Sequence, residues 1–211
     1  MARSGTGNIS EAPSIAIDRV TRHNLEVPIV GTSPLIMHKW SAKARLEMLG
    51  RQQGKPKQKQ FRDPEAEFED AIYYLPDGAG PNGEPIKRYG FPAVAFKSAI
   101  VDGTRNYGKD VTMVQARISI FVAGEGPDML VPLNVPEPPT MREDVVRVGM
   151  GAADLRYRPI FERWGATLHV TFAPPFSKES VLALIDAGGA GGVGEWRPEK
   201  NGVYGTFELA L

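Results

Sequence analysis

The stretch GGVGEWRPEKNGVYGTFEL, residues 191–209, combines a glycine-rich loop with an apolar segment near the end of the sequence. Glycine loses more conformational entropy on folding than other residues, so a cluster destabilises a fold unless the backbone turns at positive φ or another group approaches closely. A phosphate cradle, a nucleic-acid clamp and a tight helix cap all meet that condition. Six glycines lie between residues 188 and 202, namely Gly188, Gly189, Gly191, Gly192, Gly194 and Gly202.

The composition indicates a globular chain with a sizeable core. It has 211 residues, of which 42% are hydrophobic and 24% charged, enough for one large domain. No run of about 18 apolar residues occurs, so no membrane span is predicted. The chain has no cysteine and three scattered histidines, which excludes disulfides and thiolate sites and predicts neither metal nor cofactor in a cytoplasmic protein. We expect residues 1–13 to be a disordered tail and 14–211 a single domain.

The charges balance, with 25 basic against 25 acidic residues, which argues against a protein that coats DNA non-specifically. They are nevertheless segregated along the chain. Residues 51–62 carry positive charges and no negative one, and residues 63–70 carry negative charges and no positive one. Blocks of opposite sign can fold on each other or pair head to tail between copies of the chain.

Periodicity and capping residues predict a mixture of strands and helices. The predicted strands are 23–32, 111–124, 129–134, 166–172 and 203–211. The predicted helices are 41–53, 63–75, 91–108 and 177–187; if the glycines after the last one merely turn the chain, Gly188 is its left-handed cap. Residues 76–85 are predicted to form a turn or hairpin tip, and residues 136–164 a long mobile loop.

Two insertions, 33–90 and 136–164, interrupt the predicted core. Without them, and with 129–134 taken only as the pairing partner of 111–124, the order of elements is strand, helix, strand, strand, helix, strand. That order is the βαββαβ arrangement of an α+β, ferredoxin-like (RRM-like) fold. Such a fold exposes one face of its sheet, the platform on which RNA-recognition modules stack bases.

Three stretches resemble, in this order, the RAMP superfamily, specifically the backbone subunits that line the guide RNA in CRISPR effector complexes. They are VGTSPLIMHKW (30–40), FPAVAFKSAIVDGTR (91–105) and the opening stretch (191–209). The resemblance implies that the glycine-rich loop packs near the RNA backbone and that a thumb within 136–164 wedges between nucleotides. The whole sequence also resembles bacteriophage proteins encoded near replication and recombination genes.

Cations interleaved with aromatic residues are the main candidates for nucleic-acid binding, because arginine pairs with phosphates and aromatic rings stack on bases. The predicted binding residues are Lys39, Lys55, Lys57, Lys59, Arg62, Lys97, Arg105, Arg117, Arg142, Arg147, Arg156, Tyr157, Arg158, Trp164, Trp196 and Arg197. Gly191, Gly192 and Gly194 are predicted to contact the nucleic-acid backbone. The alternatives are that the glycines merely turn the chain and that the arginines of 142–163 pair with neighbouring acids.

These observations predict a protein that binds single-stranded RNA or DNA, assembles head to tail along the strand and serves phage recombination, annealing or guide-RNA-like binding. One alternative is a mimic that binds host CRISPR subunits and blocks their assembly. Another is a virion assembly protein that needs no nucleic acid. No catalytic residue is assigned, because His38 near Ser33 lacks a third group; an endoribonuclease that uses His38 is the enzymatic alternative.

Overall fold

The computed structural model describes residues 17–54, 62–80, 82–147 and 153–210. Strands and helices alternate irregularly through these ranges. In chain order the elements are β1 (His23–Gly31), β2 (Leu35–Ile36), α1 (Ala42–Gln52), α2 (Pro64–Asp70), β3 (Tyr74–Ala79), β4 (Pro85–Pro92), α3 (Ala93–Gly103), α4 (Met113–Ser119), β5 (Ile120–Val122), β6 (Leu130–Asn134), β7 (Thr140–Arg147), β8 (Ala153–Phe161), β9 (Gly165–Phe172), α5 (Lys178–Gly191) and β10 (Phe207–Leu209).

The main sheet has the strand order β10-β1-β9-β6-β4-β3, and β5 also pairs with β9. β1 and β9 are antiparallel along their length, from His23 opposite Phe172 to Val30 opposite Gly165. The other edge of β9 is shared, with β5 along residues 170–172 and β6 along residues 165–166. Antiparallel sheets and helices therefore combine in one chain, and the α+β prediction is confirmed.

The core lies between one face of this sheet and helices α3 and α5. Successive side chains of a strand point to opposite faces, and Val27 of β1 and Leu168 of β9 are buried on the helical side. Phe96 of α3 contacts Phe207 of β10 edge to face, with ring centroids 6.0 Å apart. The opposite face is exposed to solvent, including Phe121, which is 48% exposed.

The glycines before the last strand allow α5 to lie directly against its neighbours. A Cβ on Gly188 would lie 2.5 Å from the Ala99 carbonyl oxygen of α3, and one on Gly189 would overlap the Phe207 carbonyl oxygen of β10. Both glycines lie inside α5, so the prediction that Gly188 ends the helix is wrong. The helix ends at Gly191, and its C-cap Gly192 has a φ of +74°. Close packing is therefore the reason for the first glycines of the cluster.

The predicted strand 111–124 is wrong for its first half, which forms α4. A capping box starts this helix, because the Thr112 side chain accepts from the Gln115 backbone N–H and the Gln115 side chain accepts from the Thr112 N–H. Such reciprocal bonds favour a helix over the strand that the alternating residues indicate. The predicted pairing with 129–134 is reduced to an isolated bridge between Glu125 and Leu130.

Residues 136–164 contain a regular hairpin rather than the predicted mobile loop. β7 and β8 are antiparallel from Thr140 opposite Ile160 to Arg147 opposite Ala153, and β2 extends them to a three-stranded sheet. Residues 148–152 between the two strands lie outside the described ranges. The 136–164 segment thus has its own ladder of backbone hydrogen bonds.

Other predicted elements are confirmed with shifted boundaries. α2 begins with Asp63 as its N-cap and Pro64 in its first turn, as the sequence indicates, but ends at Asp70. Residues 74–79 and 85–92 form the β3–β4 hairpin, which extends the predicted turn into two strands. The last strand is shorter than predicted and spans Phe207–Leu209.

The packing of α5 predicts opposite effects for one substitution at two nearby positions. Gly189→Ala should lower the free energy of unfolding by about 1–3 kcal/mol, because the added methyl group displaces β10. Gly191→Ala should leave it unchanged or raise it by up to about 1 kcal/mol, since a Cβ there meets no atom within 4 Å. Urea denaturation of the two variants measures both values. Equal stability of the two would contradict the described contact between α5 and β10.

Candidate nucleic-acid interface

Helix α3 forms a ridge between two grooves. Its residues Val94, Ser98 and Asp102, spaced four apart on one helical face, line both grooves. The groove against α4 has a volume of about 310 Å³, and the groove against α5 and the glycine-rich loop has a volume of about 440 Å³. We call them the α4 groove and the α5 groove, and α3 with both grooves the α3 surface.

The α4 groove carries two cations with free charge. Lys97 of α3 and Arg117 of α4 line it, and within the described ranges neither forms an ion pair. The Lys97 ammonium lies 4.3 Å from the centroid of the Phe121 ring, a cation–π distance. The lining acid Asp102 is paired with Arg105 at 3.2 Å. The charges of Lys97 and Arg117 are thus available to an anionic ligand.

The α5 groove is lined by small residues and backbone. Ala95, Ala99 and Gly103 line it from α3, and Gly188 and Gly191 from α5. Unlike Gly188, Gly191 faces open space, because a Cβ built on it would have no neighbour within 4 Å. No contact in the described structure requires glycine at position 191, and its missing side chain leaves the groove open.

Two arginines lie along the α5 groove. The Arg197 guanidinium donates to the Gly194 carbonyl oxygen at 2.9 Å and pairs with Glu199 at 2.8 Å. Arg105 follows α3 and is paired with Asp102. Its side chain is 62% exposed in this pair. Exposed ion pairs are weak, so a phosphate can compete for Arg105.

A chain of charged groups anchors the loop to the β7–β8 hairpin. The Glu195 carboxylate lies 3.6 Å from His38 Nδ1 and 3.7 Å from Arg158 Nη2. Arg158 reaches Asp144 at 3.5 Å, and Asp144 accepts from Arg142 Nε at 2.8 Å. The contact with His38 lowers the pKa of the Glu195 carboxyl against the opposing effect of burial, and the charge of Arg158 lowers it further.

The α3 surface brings together seven of the residues predicted from the sequence. They are Lys97, Arg105, Arg117, Arg197, Gly191, Gly192 and Gly194. The sequence analysis missed the companions Val94, Ala95, Ser98, Ala99 and Asp102. Their fourfold spacing within 91–105 was the available signal, because it places small and polar residues on one side of an otherwise apolar helix.

Other predicted cations lie away from this surface and are engaged within the chain. Arg142 also donates to the Tyr204 hydroxyl at 2.9 Å, and Arg156 pairs with Asp154 at 3.0 Å. Arg62 pairs with Glu67 and Asp154 and lies 5.8 Å above the Tyr157 ring. Lys39 lies 5.5 Å from the Tyr73 ring centroid and, like Lys97, has no acidic partner among the described residues, but it lies outside the α3 surface. The pair of Arg156 with Asp154 and that of Arg142 with Asp144 are the neighbouring-acid pairs that the sequence analysis left open for the arginines of 142–163.

For two of the predicted binding residues the prediction is wrong, because their side chains are buried. Trp164 is 3% exposed, and its indole N–H donates to the Ser33 carbonyl oxygen at 2.8 Å, so its ring belongs to the core and offers no face for stacking. Arg158 is 5% exposed and serves the anchoring chain instead. Lys55, Lys57 and Lys59 and the side chain of Arg147 lie outside the described residues.

The described residues show neither a metal-binding cluster nor a membrane-spanning helix. Within the described ranges, no group of three or more His, Asp or Glu side chains is arranged to hold a metal ion. The same part of the chain contains no helix long and apolar enough to cross a membrane.

Comparisons with known proteins return a distant structural likeness. No family model matches the chain, and no curated protein matches it. Among solved structures, the chain is similar to Cmr6 from Pyrococcus furiosus, with 10% sequence identity and a TM-score of 0.46 over 90% of this chain and 98% of that chain. A TM-score below 0.5 does not establish a shared fold, so the interface rests on the geometry described above.

The anchoring of Glu195 predicts a pH-dependent contribution to stability. Because its pKa is lowered in the folded chain, the contribution is complete above the usual carboxyl range and is lost as the pH falls through the lowered value. Glu195→Gln should therefore lower the melting temperature at about pH 7 but not at about pH 2. Glu162→Gln is the control, since Glu162 is exposed and has no ion pair among the described residues. A deficit that persists unchanged to low pH would contradict the ionic anchor.

Proposed function

We propose that this protein binds single-stranded nucleic acid across the α3 surface. The observation that carries the proposal is the pair Lys97 and Arg117, whose charges lie beside a groove without an ion partner in the described structure. Lysine and arginine bind phosphates and release condensed counterions, which makes such binding dependent on salt. The glycines of the neighbouring α5 groove permit close approach of a phosphate backbone.

Local charge clustering reconciles this proposal with a neutral chain. The two grooves are lined by the cations Lys97, Arg105, Arg117 and Arg197 and by the carboxylates Asp102 and Glu199. The lining therefore has a surplus of positive charge, although the formal charge of the whole chain is +0. Phosphate contacts position a nucleic acid without reading its sequence, so we expect weak base preference.

The dimensions of the grooves favour a single strand. A groove of about 440 Å³ falls in the range of sites that enclose small molecules. It can accept individual nucleotide units, whereas a base-paired duplex can contact only the rim. The ligand class we propose is therefore single-stranded RNA or DNA.

The strand order supports the finer fold interpretation. β10, β1, β9 and β5 are consecutive antiparallel neighbours, and α3 and α5 lie between the strands that a βαββαβ core connects by helices. This order is what a ferredoxin-like core would have, and it supports that interpretation. Two of the stretches that resemble the RAMP superfamily, 91–105 and 191–209, contribute opposite walls of the α5 groove, which supports a shared role in binding.

Other roles stay predictions from the sequence. These are head-to-tail assembly along the strand, a thumb formed by the β7–β8 hairpin, and service in phage recombination or in mimicry of a CRISPR subunit. The proposal of nucleic-acid binding does not depend on any of them.

Fluorescence anisotropy tests the proposal directly. Labelled single-stranded RNA, single-stranded DNA and duplex DNA of about 30 nucleotides should be titrated with the protein at low and physiological salt. We expect tighter binding of a single strand than of the duplex, with affinity that falls as salt rises. Failure to bind any of the three would contradict the proposal and favour a protein partner for this surface.

The unpaired cations predict the effect of a double substitution. Lys97→Ala with Arg117→Ala should weaken single-strand binding and reduce the slope of log K against log salt by about 1.4, since each lost phosphate contact removes about 0.7.

A matched control removes one lysine and one arginine elsewhere. Lys178→Ala with Arg163→Ala changes the net charge equally, but Lys178 lies at the first residue of α5 and the Arg163 side chain is 68% exposed beside Glu137. We expect the control to bind as the parent does. Equal loss in both doubles would show that net charge alone matters and would contradict the assignment of the α3 surface.

A further inference from the structure

Trp196 has a backbone conformation that bulky residues rarely adopt. Its φ is +53°, in the left-handed region, where a Cβ collides with the peptide backbone. Such strained residues persist when the surrounding structure fixes them, and they concentrate at ligand sites. The strain at Trp196 therefore makes this residue a candidate for ligand binding.

The surrounding loop fixes Trp196 on both sides. The Trp196 carbonyl oxygen accepts from the Tyr204 backbone N–H at 3.0 Å, and Gly202 approaches so closely that a Cβ on it would overlap that oxygen. The preceding residue, Glu195, donates its backbone N–H to the Ile36 carbonyl oxygen at 3.0 Å. The position of Trp196 is thus set before any ligand arrives.

The fixed tryptophan is presented to solvent rather than to the core. Trp196 is 42% exposed, whereas Trp164 is 3% exposed. Trp164 donates its indole N–H to Ser33, but no acceptor for the indole N–H of Trp196 and no aromatic partner lies among the described residues. Burial and the hydrogen bond of its indole N–H account for a tryptophan at position 164. Neither accounts for the tryptophan at position 196.

The neighbours of Trp196 in sequence line the α5 groove. Gly194 lies two residues before it and Arg197 directly after it, and both face that groove. The guanidinium of Arg197 is held by Gly194 and Glu199. Trp196 itself does not line the groove, but it is an exposed tryptophan held between two residues that do, one of them a fixed cation.

We infer that Trp196 is a stacking platform for an unpaired base of the bound strand, whose phosphate contacts the α5 groove beside Arg197. This inference rests on the proposed function and deepens it. Every base has a π-face, so stacking on an aromatic ring tolerates sequence but requires a base that is free of a duplex. The strained loop supplies selectivity for single strands, and the cations of the α3 surface supply the electrostatic attraction.

Substitutions at Trp196, compared with a control substitution and titrated with two kinds of strand, test the inference. Trp196→Asn removes the ring and keeps a residue that tolerates the left-handed region, and Trp196→Phe keeps a smaller ring. Trp40→Asn is the control, because Trp40 is 54% exposed and lies before α1. Each variant should be titrated with an oligothymidine strand and with a strand of equal length composed of abasic units.

We expect Trp196→Asn to weaken oligothymidine binding about 5- to 100-fold, the loss that corresponds to one stacked base, and to leave abasic binding unchanged. Trp196→Phe should retain part of the affinity, and Trp40→Asn all of it. In addition, oligothymidine should quench the emission of Trp40→Phe protein, which keeps Trp164 and Trp196, but not that of Trp196→Phe protein.

The outcomes separate the two proposals. Undiminished oligothymidine binding by Trp196→Asn, or an equal loss on the abasic strand, would overturn the stacking role while the binding function stands. Absence of binding by the parent protein to both strands would overturn the binding function itself. The melting midpoint of Trp196→Asn should equal or exceed that of the parent, because Asn tolerates the left-handed region, and a lowered midpoint would indicate that the ring serves the fold instead.

Discussion

The contact of α5 with α3 and β10, made backbone to backbone, is the constraint on which the rest of the structure depends. It requires glycine at positions 188 and 189, where a single methyl group would meet carbonyl oxygens of Ala99 and Phe207. Close to this contact, the part of the groove wall that α3 and α5 contribute consists mostly of small residues such as Ala95, Ala99, Gly188 and Gly191. The same contact places the loop that follows α5 beside α3, so the packing of α5 also forms the α5 groove of the candidate interface.

The cations of the β7–β8 hairpin and those of the α4 groove lie in different environments. In the β7–β8 hairpin, Arg142 and Arg158 are held by Asp144, and Arg158 also faces Glu195. These arginines connect the hairpin to the loop and are occupied by that role. Lys97 and Arg117 have no such partners in the described structure. A charge that no fold contact neutralises is available to a ligand, which is why the binding function is assigned to α3 rather than to the arginine-rich hairpin.

Local sequence signals predicted the elements whose burial is apolar and regular. Residues 166–172 alternate cleanly and form β9, and the predicted helix 177–187 forms α5 with Ser177 as its N-cap. The β7–β8 hairpin escaped prediction because its inward positions include Asp144 and Arg158, which are buried as ions, so no apolar alternation marks it. For the site, sequence spacing suggested Lys97 and Arg105, but the proximity of Arg117 depends on how α4 packs. Glycine composition alone also cannot distinguish Gly188, which the packing requires, from Gly191, which it does not.

Mapping the path of a bound strand tests the central claim most directly. A single strand that carries photoreactive thio-substituted bases can be crosslinked to the protein and the attached peptides identified by mass spectrometry. The account predicts crosslinks within α3 and α4, residues 93–119, and within the loop of residues 191–199. Crosslinks confined to the exposed sheet face, around His169 and Thr171, or to the β7–β8 hairpin would contradict it.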